Sequence, residues 1–176
     1  MKDQGVTTMN LDIFKNMDES SLRNYIEFLL RQYRVVDSFW FISIEERFGR
    51  EVAEEINEGI WSRVGPMAGK DLRKRYHIRE KGLKGFIKIL KLFPWTILGG
   101  HQIEQKEDEV ILTVPECPPQ VARIKRGLGE YDCKEMHRKE FVQAAKEIDP
   151  LIRVDCDFAP PDAHPDDLFC RWRFVL

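Results

Sequence analysis

"LGGHQIEQKEDEVILTV", residues 98–114, is where the chain changes character, and its reading decides the fold. Two glycines end a helical stretch, a polar "KEDE" turn follows "HQIEQ", and "VILTV" then runs as a β-branched segment closed by Pro115. This pattern predicts an antiparallel hairpin. Everything before it repeats at helical spacing.

Working backwards, "MDESSLRNYIEFLLRQYRVVDSFWFISIEERFG" opens with acidic and serine residues suited to a helix start. It carries Leu22, Ile26, Leu29, Leu30, Tyr33, Val36, Trp40 and Ile44, and stops at Gly49. One long helix is expected from about residue 18. Its middle, "FWFISI", is apolar on every side and demands cover from other helices, a partner chain or a ligand. "REVAEEINEGIWSRV" predicts a second helix ending at Gly65-Pro66, and a third is expected from Met67. "KGLKGFIKILKLFPW" gives an amphipathic basic helix over about 82–93. Ordinary core packing is preferred there to a membrane-surface role for residues 82–95.

Working forwards, "PPQVARIKRG" and "KEMHRKEFVQAAKEI" read as helices, and "DPLIRVDCDF" with "LFCRWRFVL" as a second hairpin around a Pro-rich loop. The expected fold class is therefore α+β. Four helices form an N-terminal layer over 18–98, and a four-stranded antiparallel sheet over 101–176 is built in the order hairpin, two helices, hairpin. The 176 residues read as a single domain, with residues 1–17 partly flexible.

Composition narrows the function classes. Hydrophobic residues make up 43% and charged residues 33%, with a formal net charge of -2, as expected of a soluble globular protein. No secretory h-region or spanning segment is legible, so a cytoplasmic location is expected. Residues 70–91 hold nine basic residues against Asp71 and Glu80. Without a nucleic-acid motif or a stacking platform this reads as a solvated face, so no nucleic-acid partner is expected. P-loop, dinucleotide glycine fingerprint, nucleophile elbow and H-E-x-x-H motifs are all missing from the sequence.

The candidate chemistry lies in the thiols. Cys117 and Cys133 open the two later helices, where the helix dipole favours a thiolate. Cys156 and Cys170 fall on core faces of the second hairpin, and a loop centred on Ala163 would set them directly opposite each other. If the four converge, or three of them with His137 or His164 as a further donor, they suit zinc or iron. Their spacing lacks any C-x-x-C pair, and buried cysteine is a common core residue, so core filling is the competing reading. Other catalytic candidates are Glu45, as a partly buried carboxylate, His101 beside Gly99-Gly100, and Cys133 as a reactive thiol. Glu45 is also read as an ion-pair partner for Arg47, Arg50 or Arg63.

"FWFISIEERFG", "IWSRVG", "CPPQVARIKRGLGEYDCK" and "IDPLIRVDCDFAPPDAHPDDLFCRWRF" together resemble an uncharacterised family of small cytosolic bacterial and archaeal proteins, from about residue 22 to the end. The layout is more loosely similar to the aminothiazoline-carboxylate hydrolase group, and more faintly to vinyl-reductase-type ligand-binding domains. The closer resemblance implies that Cys117, Cys133, Cys156, Cys170 and the "HPDD" of His164–Asp167 are recurring elements. It also implies one thiol fewer here than in relatives with a cysteine at the position of Ala159.

Two functions follow as expectations. The first is a cysteine-cluster protein binding zinc or another thiophilic metal, acting as a hydrolase on a small molecule if the metal keeps an open position. The second is a non-catalytic small-ligand-binding or dimerising module, a homo-oligomer that uses Phe39–Phe41 and Trp61 while the cysteines fill the core.

Overall fold

A computed structural model describes residues 9–176, and the chain divides into two compact units, Met1–Asp37 and Ser38–Leu176. In the first, a 3-10 turn over Asp12–Phe14 precedes helix α1, Glu19–Phe48. Asp18 caps α1 as its acidic start predicts: its Oδ1 accepts the Ser21 backbone N–H at 2.7 Å, and that bond holds its carboxyl below the usual range. Phe14 and Tyr25 meet at 5.1 Å between ring centres.

In the second unit α1 runs on to Phe48 and breaks at Gly49, whose φ of +89° suits only glycine without strain. Helix α2, Arg50–Arg75, follows, then α3, Gly82–Leu90, and the short α4, Pro94–Leu98. Four helices precede the sheet as expected, but they are divided differently. Pro66 does not end a helix: α2 runs straight through it, and the expected second and third helices are one. The reason is tertiary. α2 lies against the later helix α6, Lys134–Lys146, so closely that a Cβ on Gly65 would sit 2.8 Å from the Glu140 carbonyl oxygen. Arg73 Nη1 donates to the Glu147 carbonyl at 2.5 Å, and Lys139 pairs with Glu58. This packing outweighs the one hydrogen bond that proline removes.

The sheet follows the predicted plan. Strands β1 (Gln102–Gln105), β2 (Glu109–Val114), β3 (Arg153–Phe158) and β4 (Cys170–Val175) pair antiparallel in the order β1-β2-β4-β3, with α5 (Pro118–Lys125) and α6 between the hairpins. Alternation puts Val110, Leu112, Val114, Cys170, Trp172 and Phe174 on the inner face, under α3 and α6. Phe86 and Phe174 meet at 4.8 Å, and Phe141 and Trp172 at 5.3 Å. Each fully buried aromatic contributes about 2–3 kcal/mol of transfer free energy. The basic α3 buries Leu83, Phe86, Ile87 and Leu90 while Lys84, Lys88 and Lys91 face water, so ordinary core packing is its role.

One register differs from expectation. Cys156 stands opposite Trp172, not Cys170, which faces Val114 on β2. The connection is centred later than Ala163, pairing Phe158 with Arg171, and a bulge between Cys156 and Phe158 then adds a residue to β3.

Candidate functional site

The thiols lie at the starts of α5 and α6 and on the adjoining strands. Cys117 and Cys133 are the N-cap residues of α5 and α6, as the sequence predicts. Cys117, Cys133 and Cys170 lie near enough that each thiolate would repel the next, and Cys156 acts likewise on Cys170. So the cysteines do gather. They are not activated by their helices, however. Burial pushes Cys117 and Cys156 up to about 11, Cys170 up to about 12, and Cys133 well above its ordinary value. The dipole loses because desolvation disfavours the anion, and because α5 begins with Pro118 and Pro119, which have no N–H to offer a sulfur. The expectation of reactive thiolates at these helix starts is therefore corrected. All four are free thiols, and among the described residues no group of three or more His, Cys, Asp or Glu is arranged to hold a metal ion.

What surrounds the thiols holds the structure together. The fully buried Gln120 carboxamide donates to the Tyr131 carbonyl at 2.9 Å and accepts the Tyr131 N–H at 3.1 Å, with its nitrogen also 3.5 Å from Cys133 Sγ. It acts as a substitute peptide group across the α5–α6 connection. The Pro160 carbonyl, at a cis Pro160-Pro161 bond, accepts the N–H groups of both Cys133 and Lys134 at 3.2 Å. Lys134 then reaches Asp162 at 2.7 Å. The Pro-rich loop thus caps α6, satisfying donors that a helix start leaves open.

His164 belongs to the same loop but is committed elsewhere. Its Nε2 lies 3.0 Å from Glu130 and its Nδ1 3.0 Å from the Pro165 carbonyl, and the Pro165 contact foremost raises its pKa above 6.5. Glu45 is no raised-pKa acid. The Arg123 guanidinium grips it at 2.5 and 2.9 Å and holds it below its usual range, with Arg50 adding a contact at 3.3 Å. The ion-pair reading of Glu45 holds, but the principal partner, Arg123, was not among the arginines the sequence offered. Arg123 also lies 5.4 Å from the Phe41 ring and 5.6 Å from that of Tyr131, between two aromatic faces.

His101 is partly buried, its Nδ1 has no hydrogen-bond partner among the described residues, and burial, with His137 nearby, lowers its pKa to about 4. It is neutral at physiological pH. His137, expected as an alternative metal donor beside the thiols, contacts the buried Glu140 at 3.0 Å and stacks on Phe141 at 5.6 Å. Its i, i+3 spacing from Glu140 on one helix was the available signal for that contact. Trp61, assigned to a surface, is 7% exposed and meets Trp95 edge-on at 6.1 Å, so it contributes nothing to an outer face.

Residues 15–176 match the family described as "Family of unknown function (DUF6125)". The chain belongs to that family. The expected membership of an uncharacterised family is thereby met, and the DUF6125 match spans the helical half and all four cysteines. No curated protein matches the chain. Among solved structures, a trafficking protein particle complex subunit 3 from Naegleria fowleri, covalently bound to palmitic acid, is similar. It has a TM-score of 0.48 and 14% identity, over 88% of this chain and 96% of that one. No helix among the described residues is long and apolar enough to cross a membrane.

Proposed function

We propose that the protein is a self-assembling interaction module whose docking element is α1. One observation carries this reading: α1 is a 30-residue helix with not a single buried residue, yet it is rich in large apolar side chains. Leu22, Ile26, Leu29, Tyr33, Val36 and Trp40 follow one another at spacings of 4, 3, 4, 3 and 4, the seam of a two-helix coiled coil. Ile26, Leu29, Val36 and Trp40 are 47%, 47%, 56% and 66% exposed.

The seam fits a second copy running antiparallel. Centred on Arg31, it sets Ile26 against Val36 of the other copy, Leu29 against Tyr33, and Leu22 against Trp40, a large side chain facing a smaller one at two of the three levels. The flanking positions then bring Arg23 towards Asp37 and Tyr25 towards Phe39. A parallel pair would instead stack Trp40 on Trp40 and Tyr33 on Tyr33.

Analytical ultracentrifugation of the full chain tests this. The wild type sediments as a dimer, and Ile26→Glu with Leu29→Glu gives a folded monomer. A single cysteine introduced at Gln32, the flanking position that meets itself in this antiparallel register, cross-links the dimer, whereas one at Arg23 does not. A wild-type monomer at tens of micromolar sinks the proposal. The gathering of Cys117, Cys133 and Cys170 keeps one measurement relevant to the zinc-hydrolase reading. Stoichiometric zinc in protein purified anaerobically without chelator would restore the thiols as the functional centre.

A further inference from the structure

The outer face of the sheet, opposite the core, carries a cleft of about 280 Å³ over β1, β2 and β4. Its floor is set by register: Gln102, Thr113 and Arg171 stand side by side across three strands, and Glu104, Ile111 and Arg173 form the next row. Alternation makes Arg171 point outward, because Cys170 and Trp172 on either side face the core. Ile111 and Leu168 supply its apolar surface, while Ile103, opposite Leu112, borders the cleft from the core side.

Arg171 is the anomaly. Its Nε is buried without a hydrogen-bond partner, and no carboxylate among the described residues pairs with it. Its neighbour two residues on, Arg173, is by contrast held by Asp157 at 2.7 Å. A guanidinium carries five donors in a fork suited to a carboxylate, and leaving its buried donor unmatched is costly. The same cleft holds Glu104, so a simple anion beside Arg171 would meet a second negative charge.

We infer that this cleft binds a small zwitterion, an aliphatic α-amino acid, with its carboxylate on Arg171, its ammonium on Glu104 and its side chain against Ile111 and Leu168. The Gln102 amide and Thr113 hydroxyl are placed to complete the carboxylate's hydrogen bonds. The reading is independent of the α1 seam and goes beyond it, since every residue involved lies on the sheet or in the loop that leads into β4.

Calorimetric titration of the full chain with L-leucine, L-isoleucine and L-valine tests it, with 4-methylpentanoate and isopentylamine as single-charge controls. At least one of the amino acids binds saturably and more tightly than either control. Arg171→Gln weakens that binding about ten-fold or more, and so does Glu104→Gln, which leaves 4-methylpentanoate no weaker. Circular dichroism shows both variants folded, as expected of outward-facing positions. Failure of all three amino acids to saturate by about 10 mM overturns the proposal. So does binding that neither substitution changes, or a control that binds as tightly as the amino acid.

Discussion

Helices α1 and α6 have similar apolar patterning and opposite fates. α6 is 13 residues long and buries Met136, Glu140, Phe141, Ala144 and Ala145, whereas α1 has 30 residues and buries none. The difference lies in what faces them. α6 has the sheet beneath it and the glycine-bearing side of α2 beside it, while the seam of α1 is left open to solvent. Periodicity says which face of a helix requires cover. It does not say whether the same chain supplies it.

Paired truncations sharpen that contrast most. Phe86→Ala, at a side chain with no exposed surface, is expected to cost about 3–5 kcal/mol in urea unfolding. Trp40→Ala removes as large a group, yet should leave unfolding of the dilute monomer within about 0.5 kcal/mol while weakening the dimer. An equal loss at both positions, measured at a concentration too low for dimer, would show that the chain itself covers α1.

The next effect belongs to the C-terminal stretch of α1, where Arg123 and Arg50 hold Glu45. Glu45→Gln leaves the Arg123 guanidinium, only 6% exposed, without its counter-ion. A buried pair broken on one side costs about 3–5 kcal/mol. Because Glu45 keeps some contact with water, about 2–3 kcal/mol is expected. Urea midpoints of wild type and variant measure it, and a change below about 0.5 kcal/mol would make the contact incidental.

The smallest effect is a pH dependence with two signs. The His164 pKa is raised in the fold, first by its contact with the Pro165 carbonyl and then by Glu130, so these contacts stabilise fully below about pH 6.5. That contribution is lost as pH rises through the raised value. The His101 pKa is lowered to about 4, so the unfolded chain takes up its proton first, and stability falls as pH drops from about 6.5 towards 4. Melting temperatures from pH 4.5 to 8.5 should show both arms. Glu130→Gln is expected to flatten the alkaline one in part and His101→Gln the acid one, and unchanged arms would remove these histidines as the cause.

Much of the fold is legible in short-range pattern. The β-branched run of β2, the strict alternation of β4, the glycine pair at 99–100 and the capping Asp18 lead to the right elements in the right order. Pro66 misleads because its local cost is outweighed by contact with a helix some 70 residues later in the sequence, which no local window contains. The cysteine register misleads because the Pro-rich connection is not symmetric about Ala163, so Phe158 already meets Arg171 before the bulge in β3 is reached. The Arg123–Glu45 pair joins residues 78 positions apart and leaves no mark in either neighbourhood. The thiols are the instructive case: the helix starts are visible in sequence, whereas the desolvation that silences them is a property of the assembled interior.

That silence has a practical consequence. With pKa values near 11 for Cys117 and Cys156, only about one thiol in ten thousand is ionised at neutral pH, and Cys133 and Cys170 are held higher still. A fluorophore or spin label offered to the native protein will find almost no endogenous nucleophile. A cysteine placed on the exposed side of α1 becomes a nearly background-free reporter without first stripping out the natural four.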